Sequence, residues 1–98
     1  MKKKHRISSN TILQRNKDQL FTMIDEEVVM LNIKQEEYLN LNLHASHIWQ
    51  LLETPLAFGE LTEKLCTVYD VEEKVCMEDT LDFVTEFVKK DIIQIIRE

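Results

Sequence analysis

The 98 residues suit one domain, which at this size buries roughly 60–68% of the surface that its unfolded chain exposes. With 44% hydrophobic and 31% charged residues, one Gly and one Pro, the chain has no apolar run near the ~20 residues of a membrane span. The basic start is not followed by the apolar segment of a secretory signal, so a cytoplasmic protein that spans no membrane is expected.

Charge is unevenly distributed. Residues 1–17 carry Lys2, Lys3, Lys4, Arg6, Arg15 and Lys17 and no acid, a sum of +6; with −6 for the whole chain, the remainder is −12. A body that acidic repels a phosphate backbone, which argues against nucleic acid as a partner. The basic start reads as a flexible lead-in over residues 1–18, ahead of a folded domain over 19–98, with Thr11-Ile12-Leu13 as a possible short strand within it.

In chain order, Gln19–Ile24 alternates as a strand, Asp25-Glu26 makes a tight turn, and Val28–Leu31 is a compact β run. After the polar turn Lys34-Gln35-Glu36, the strand Tyr38–Leu41 completes a three-stranded antiparallel meander, with Tyr38 and Asn40 on one side and Leu39 and Leu41 on the other. The period then changes. Ala45, Ile48, Trp49 and Leu52 stand at i, i+3, i+4 and i+7, one face of a helix that ends at Thr54-Pro55, because a residue before proline is pushed out of the α region. A second helix is expected from Phe58 to Tyr69, with Leu61, Leu65 and Val68 on one face. A third runs over residues 72–90, acidic at its start and basic at its end as the helix dipole favours. Asp91–Arg97 is a short apolar tail with the makings of a closing strand. The fold class is therefore α+β, a three-stranded antiparallel sheet covered by three helices, since three strands cannot bury their apolar face alone.

The third helix has a wide apolar arc. Cys76, Thr80, Phe83 and Phe87 form one row, read as the core row. Met77, Leu81, Val84 and Val88 form a second, and together the rows span ~160°, more than the ~100° that packs one side. The second row is either a deeply wedged part of the core or the wall of a groove.

Catalytic signals are poor. His44 and His47 lack the two further ligands of a zinc site, and Cys66 and Cys76, without CxxC spacing, lie on apolar faces as small, reduced core residues. With a single glycine there is no phosphate loop. The chain reads as a binding protein without cofactor or metal. Its expected peptide site combines the edge of Tyr38, Leu39, Asn40 and Leu41, which an extended peptide can join by strand addition, with the row Met77, Leu81, Val84 and Val88.

The segments Val29-Met30-Leu31-Asn32, Tyr38-Leu39-Asn40-Leu41-Asn42, Ile48-Trp49-Gln50-Leu51-Leu52, Glu60-Leu61 with Leu65 and Tyr69, and Asp79 with Phe83 and Phe87 resemble, in order and spacing, the PqqD-like proteins. These are the recognition elements of ribosomally made, post-translationally modified peptide (RiPP) pathways, and the resemblance covers about residues 19–97. It is greatest to the free-standing recognition proteins of lasso-peptide clusters. It implies a winged-helix-like arrangement that holds the leader of a precursor peptide against the strand Tyr38–Leu41 and the third helix. The leader is then presented to a separate enzyme, a leader peptidase in lasso systems or a radical-SAM enzyme in PqqD-type ones. Three positions depart from the family pattern: Glu26 in place of a hairpin Gly, Ala57 in place of a capping Thr or Ser, and Asp91 in place of a Gly that ends the last helix. The rival readings are a DNA-binding winged helix, which the acidic body disfavours, and a scaffold that pairs through the same sheet edge.

Overall fold

The computed structural model describes residues 7–33, 35–68 and 71–98. Lys34 in the expected polar turn, Tyr69 at the expected end of the second helix, Asp70 and the first six residues of the expected lead-in lie outside them. The order is β1 (Ile12–Arg15), β2 (Leu20–Ile24), β3 (Glu27–Asn32), β4 (Glu37–Asn40), α1 (Leu43–Leu51), β5 (Leu56–Ala57), α2 (Phe58–Val68), α3 (Glu73–Lys89) and β6 (Ile93–Arg97).

The expected meander is present as the antiparallel sheet β2-β3-β4, followed by the three expected helices. Asp25 makes the β2–β3 turn with φ 57°, a left-handed conformation that Asp tolerates better than most residues, so the missing hairpin glycine costs little there. β3 alternates cleanly: Val28, Met30 and Asn32 are buried, while Val29 and Leu31 face outward.

A second three-stranded sheet, order β5-β1-β6, stands beside the first. Its central strand is β1, and this corrects the flexible lead-in reading for the described part of it, residues 7–18. Leu13 and Thr11 are buried (0% and 1% exposed), and β1 pairs antiparallel with both neighbours. The single glycine serves this docking. A Cβ on Gly59 would come within 3.2 Å of the Ser9 carbonyl oxygen, which itself accepts the Gly59 N–H at 3.0 Å. The segment was read as tail because its four-residue strand is surrounded by Lys, Arg, Asn and Ser, leaving only Ile12 and Leu13 as apolar signal.

The helix ends show how the departures from the family pattern are accommodated. Asn42 caps α1, its Oδ1 accepting the Ala45 N–H at 2.8 Å. At the start of α2, Ala57 offers no cap oxygen, but Glu60 reaches back to accept the Ala57 N–H at 3.4 Å, half of a capping box. At the end of α3, Asp91 takes the left-handed position (φ 61°). The N–H groups of Asp91 and Ile92 then bond the carbonyls of Val88 and Phe87 at 3.0 and 2.9 Å, a complete Schellman closure with Ile92 buried against the core.

Ser46 joins the sheet to α1. Its buried hydroxyl accepts the Val28 N–H at 2.8 Å and donates to the Leu41 carbonyl at 3.1 Å, bridging the last pair of the β3–β4 ladder. Ser46→Ala leaves a buried N–H and a buried C=O without partners, and is expected to lower unfolding free energy by about 1–3 kcal/mol in denaturant melts. A loss below the error of the melt would mean that another group takes over both bonds.

Candidate functional site: an open strand edge facing a helix

Among the described residues β4 pairs with β3 on one side only, which leaves its other edge open. The Leu41 N–H bonds the Val28 carbonyl at 2.9 Å and so points toward β3. Backbone groups alternate along an antiparallel strand; those of Leu39 therefore also turn inward, and those of Tyr38 and Asn40 turn out to the free edge. Side chains alternate at right angles to this. Leu41 is buried and Leu39 half-buried against the core, while Tyr38 (75% exposed) and Asn40 lie on the outer face of the sheet. The four β4-side residues expected from sequence thus divide into two that offer backbone and two that form a floor.

The C-terminal end of α3 reaches the start of β4. The helix packs on α2 and β6, and is tied to the start of β4 by Lys90, whose Nζ donates to Glu37 Oε1 and Gln35 Oε1, both at 3.2 Å. Lys90 therefore marks the side of α3 that is tied to β4. At about 100° per residue, Phe83 and Asp79 lie within roughly 20° of Lys90 around the axis, Glu86 within roughly 40° and Phe87 roughly 60° away. Phe83 is half-buried and stacks on buried Phe87 with ring centroids 4.1 Å apart. Leu39 and Phe83 pack partly buried against the core that holds Leu41 and Phe87, and Asp79 and Glu86 stand exposed on the Lys90 side of α3.

The row expected to form the peptide wall is placed differently. Val84 is 0% exposed and belongs to the core. Met77 and Leu81 are exposed, but lie roughly 140° and 180° around α3 from Lys90. There they line a cavity of about 530 Å³ with Phe58 of α2 and the first turn of α3. Val88, roughly 160° from Lys90, packs against the core from that same far flank. The expected core row holds: Cys76, Thr80 and Phe87 are buried, and Phe83, partly exposed, packs against the core. The width of the arc was readable from spacing, but spacing says nothing about which flank the sheet lies on. Sequence reasoning therefore missed Phe83, Asp79 and Glu86 as the residues on the Lys90 side of α3, although Asp79 and Phe83 already stood among the segments that carry the family resemblance.

Groups for covalent chemistry are weak. Burial first, then the hydrogen bond and charge of Cys76, with a further push from Glu73, raise the Cys66 thiol to about 11, so that almost none is thiolate near neutral pH. Among the described residues no group of three or more His, Cys, Asp or Glu is arranged to hold a metal ion. No helix among them is long and apolar enough to cross a membrane.

Comparison with known proteins agrees with this geometry. The family model of coenzyme PQQ synthesis protein D (PqqD) matches residues 27–93. TbiB1, solved in complex with the TbiA(beta) leader peptide, is 27% identical with a TM-score of 0.73, over 83% of this chain and 94% of that one. The PqqD truncation of Methylobacterium extorquens PqqCD, a stand-alone RiPP recognition element, is 13% identical with a TM-score of 0.71, over 91% of this chain and 95% of that one, a likeness of fold. No curated protein matches the sequence. The family match runs from the first residue of β3 to the first of β6 and takes in both β4 and α3: the chain belongs to the PqqD family.

Proposed function

We propose that this chain captures the leader segment of a precursor peptide as an added strand on β4 and presents it to a separate processing enzyme, without catalysing a step itself. The observation that carries this reading is the open edge of β4, where Tyr38 and Asn40 turn their backbone groups away from β3. Backbone pairing supplies affinity for any extended segment, and the floor of Leu39, Leu41, Phe83 and Phe87 takes the peptide's apolar side chains. The bound leader peptide of TbiB1, a protein of the same fold, supports the same use here. The resemblance to lasso-type recognition proteins makes a leader peptidase the first choice of partner. The raised Cys66 thiol, held protonated near neutral pH, is consistent with a purely binding role.

Titration of the leader from the neighbouring precursor gene is expected to give a dissociation constant of about 1 μM or tighter, about −8 kcal/mol. Asn40→Pro is the diagnostic variant. The Asn40 N–H points away from β3, so proline removes a donor that the added strand needs while sparing the β3–β4 ladder. Leader affinity is expected to fall about tenfold or more with the melting temperature nearly unchanged. Unaltered affinity in Asn40→Pro would exclude strand addition at this edge.

A further inference from the structure

One stripe of α3 lies on its Lys90 side, the side tied to the start of β4. Asp79, Phe83, Glu86 and Lys90 follow at i, i+4, i+7 and i+11, the spacing that lines side chains along one side of a helix. Lys90 is already engaged by Glu37 and Gln35. Asp79 and Glu86 are exposed, and among the described residues neither has an ion-pair partner. Phe83 stands between them, partly exposed. Exposed Glu36, at φ 50° just before β4, adds a further carboxylate at the Lys90 end of the stripe.

A strand laid along β4 covers this stripe and strips water from two carboxylates. With a neutral or acidic peptide that desolvation has no compensation, whereas a cation from the peptide supplies it. Lys and Arg also suit the aromatic between the acids, because their aliphatic stems pack on a ring while the charged head reaches past it. The two carboxylates are seven residues apart, about 10 Å along the helix, and same-side residues of a strand recur every ~6.7 Å. One basic side chain can therefore sit between the acids, or two alternate ones can each meet one.

We infer that the peptide selected along β4 carries Lys or Arg on the side turned toward α3, its stem over Phe83 and its cation paired with Asp79 and Glu86. This inference rests on the leader-binding reading and adds to it the charge of the segment recognised.

The test selects random dodecapeptides from a display library on the immobilised full chain, in parallel with three variants. Asp79→Asn/Glu86→Gln removes the rim charges, Glu63→Gln/Glu78→Gln removes the same net charge elsewhere, and Asn40→Pro keeps the charge but blocks the edge. Wild type and Glu63→Gln/Glu78→Gln are expected to enrich Lys or Arg at alternate positions, and the other two variants to lose that enrichment. A selected basic peptide is expected to bind Asp79→Asn/Glu86→Gln about five- to tenfold more weakly than wild type at about 50 mM salt, the difference shrinking as salt rises. Peptides that need the open β4 edge but show no basic preference would overturn this inference and leave the leader-binding reading standing. Peptides equally enriched on Asn40→Pro would overturn both.

Discussion

A chain that begins at Asp18 is expected to lose its cooperative melt, whereas one that begins at Ile7 keeps it. The shorter chain lacks β1, the middle strand of the sheet β5-β1-β6, and so orphans both outer strands at once. It also lacks Leu13, fully buried in the core, a side chain whose truncation to Ala alone typically costs about 2–5 kcal/mol. Further losses follow outside the sheet. The Phe58 N–H, at the start of α2, bonds the Thr11 carbonyl at 2.9 Å, the Arg15 N–H bonds the Leu52 carbonyl at 2.9 Å, and the Asn16 N–H bonds the Ile92 carbonyl at 2.8 Å. Against a total stability of about 5–15 kcal/mol for a domain, these losses exceed what the remaining contacts can carry. A chain starting at Ile7 retains every one of them. Thermal melting by circular dichroism of the two truncations checks the prediction; a sigmoidal transition in the Asp18 chain near that of the full protein would show that β1 is an accessory strand.

What was legible in the sequence is what period and punctuation encode. The alternation in Val28–Leu31 and Tyr38–Leu41, the switch to helical spacing at Ala45 and the stop at Thr54-Pro55 gave β3, β4 and α1 to within a residue or two. Acidic and basic ends bounded α3 equally well, since its helix runs Glu73–Lys89. The second sheet was not legible as a sheet. β1 and β6 are apolar over a few residues each, and their pairing, Leu13 with Ile95 and Arg15 with Ile93, spans nearly the whole chain, a separation that no local pattern reports. The candidate site divided the same way. The strand Tyr38–Leu41 was legible, but which strand is the edge follows only from the sheet order β2-β3-β4. The facing side of α3 depends on how a helix rotates against a distant strand, and only the Lys90–Glu37 contact fixes that rotation. Val84 illustrates the ambiguity: by spacing it belongs with Leu81 and Val88, yet it is buried at the centre of the arc, with Leu81 on one flank and Phe83 on the other.

Trp49→Ala is expected to cost about 3–5 kcal/mol, enough to lower the melting temperature by roughly 12–40 °C in a domain of this size. Trp49 is 0% exposed and lies where the two sheets meet α1. The Phe21 ring of β2 packs against it in a T-shaped arrangement with centroids 5.4 Å apart. The Arg15 guanidinium of β1 sits 5.1 Å from its ring and 4.9 Å from that of Phe21, and donates to the Trp49 carbonyl at 3.4 Å. One side chain thus holds β2 to β1 through an aromatic and a cation, in addition to filling the core. The β2 side chains are otherwise exposed, so this contact adds side-chain packing to the backbone ladder that joins β2 to β3. The indole Nε1 has no hydrogen-bond partner in its buried site, so the stabilisation comes from packed ring surface and not from a polar bond. Replacement by Phe, which keeps much of that surface, is accordingly expected to recover more than half of the loss. The ring partners of Trp49 are Phe21 of β2 and Arg15 of β1, so leader affinity measured well below the lowered melting point is expected to stay within about threefold of wild type, less than the ~1 kcal/mol of one typical hydrogen bond. Phe83→Ala should show the opposite balance, a smaller stability loss from its half-exposed site and a larger loss of binding. A Trp49→Ala protein that melts like wild type yet no longer binds the leader would move Trp49 from the core into the recognition surface.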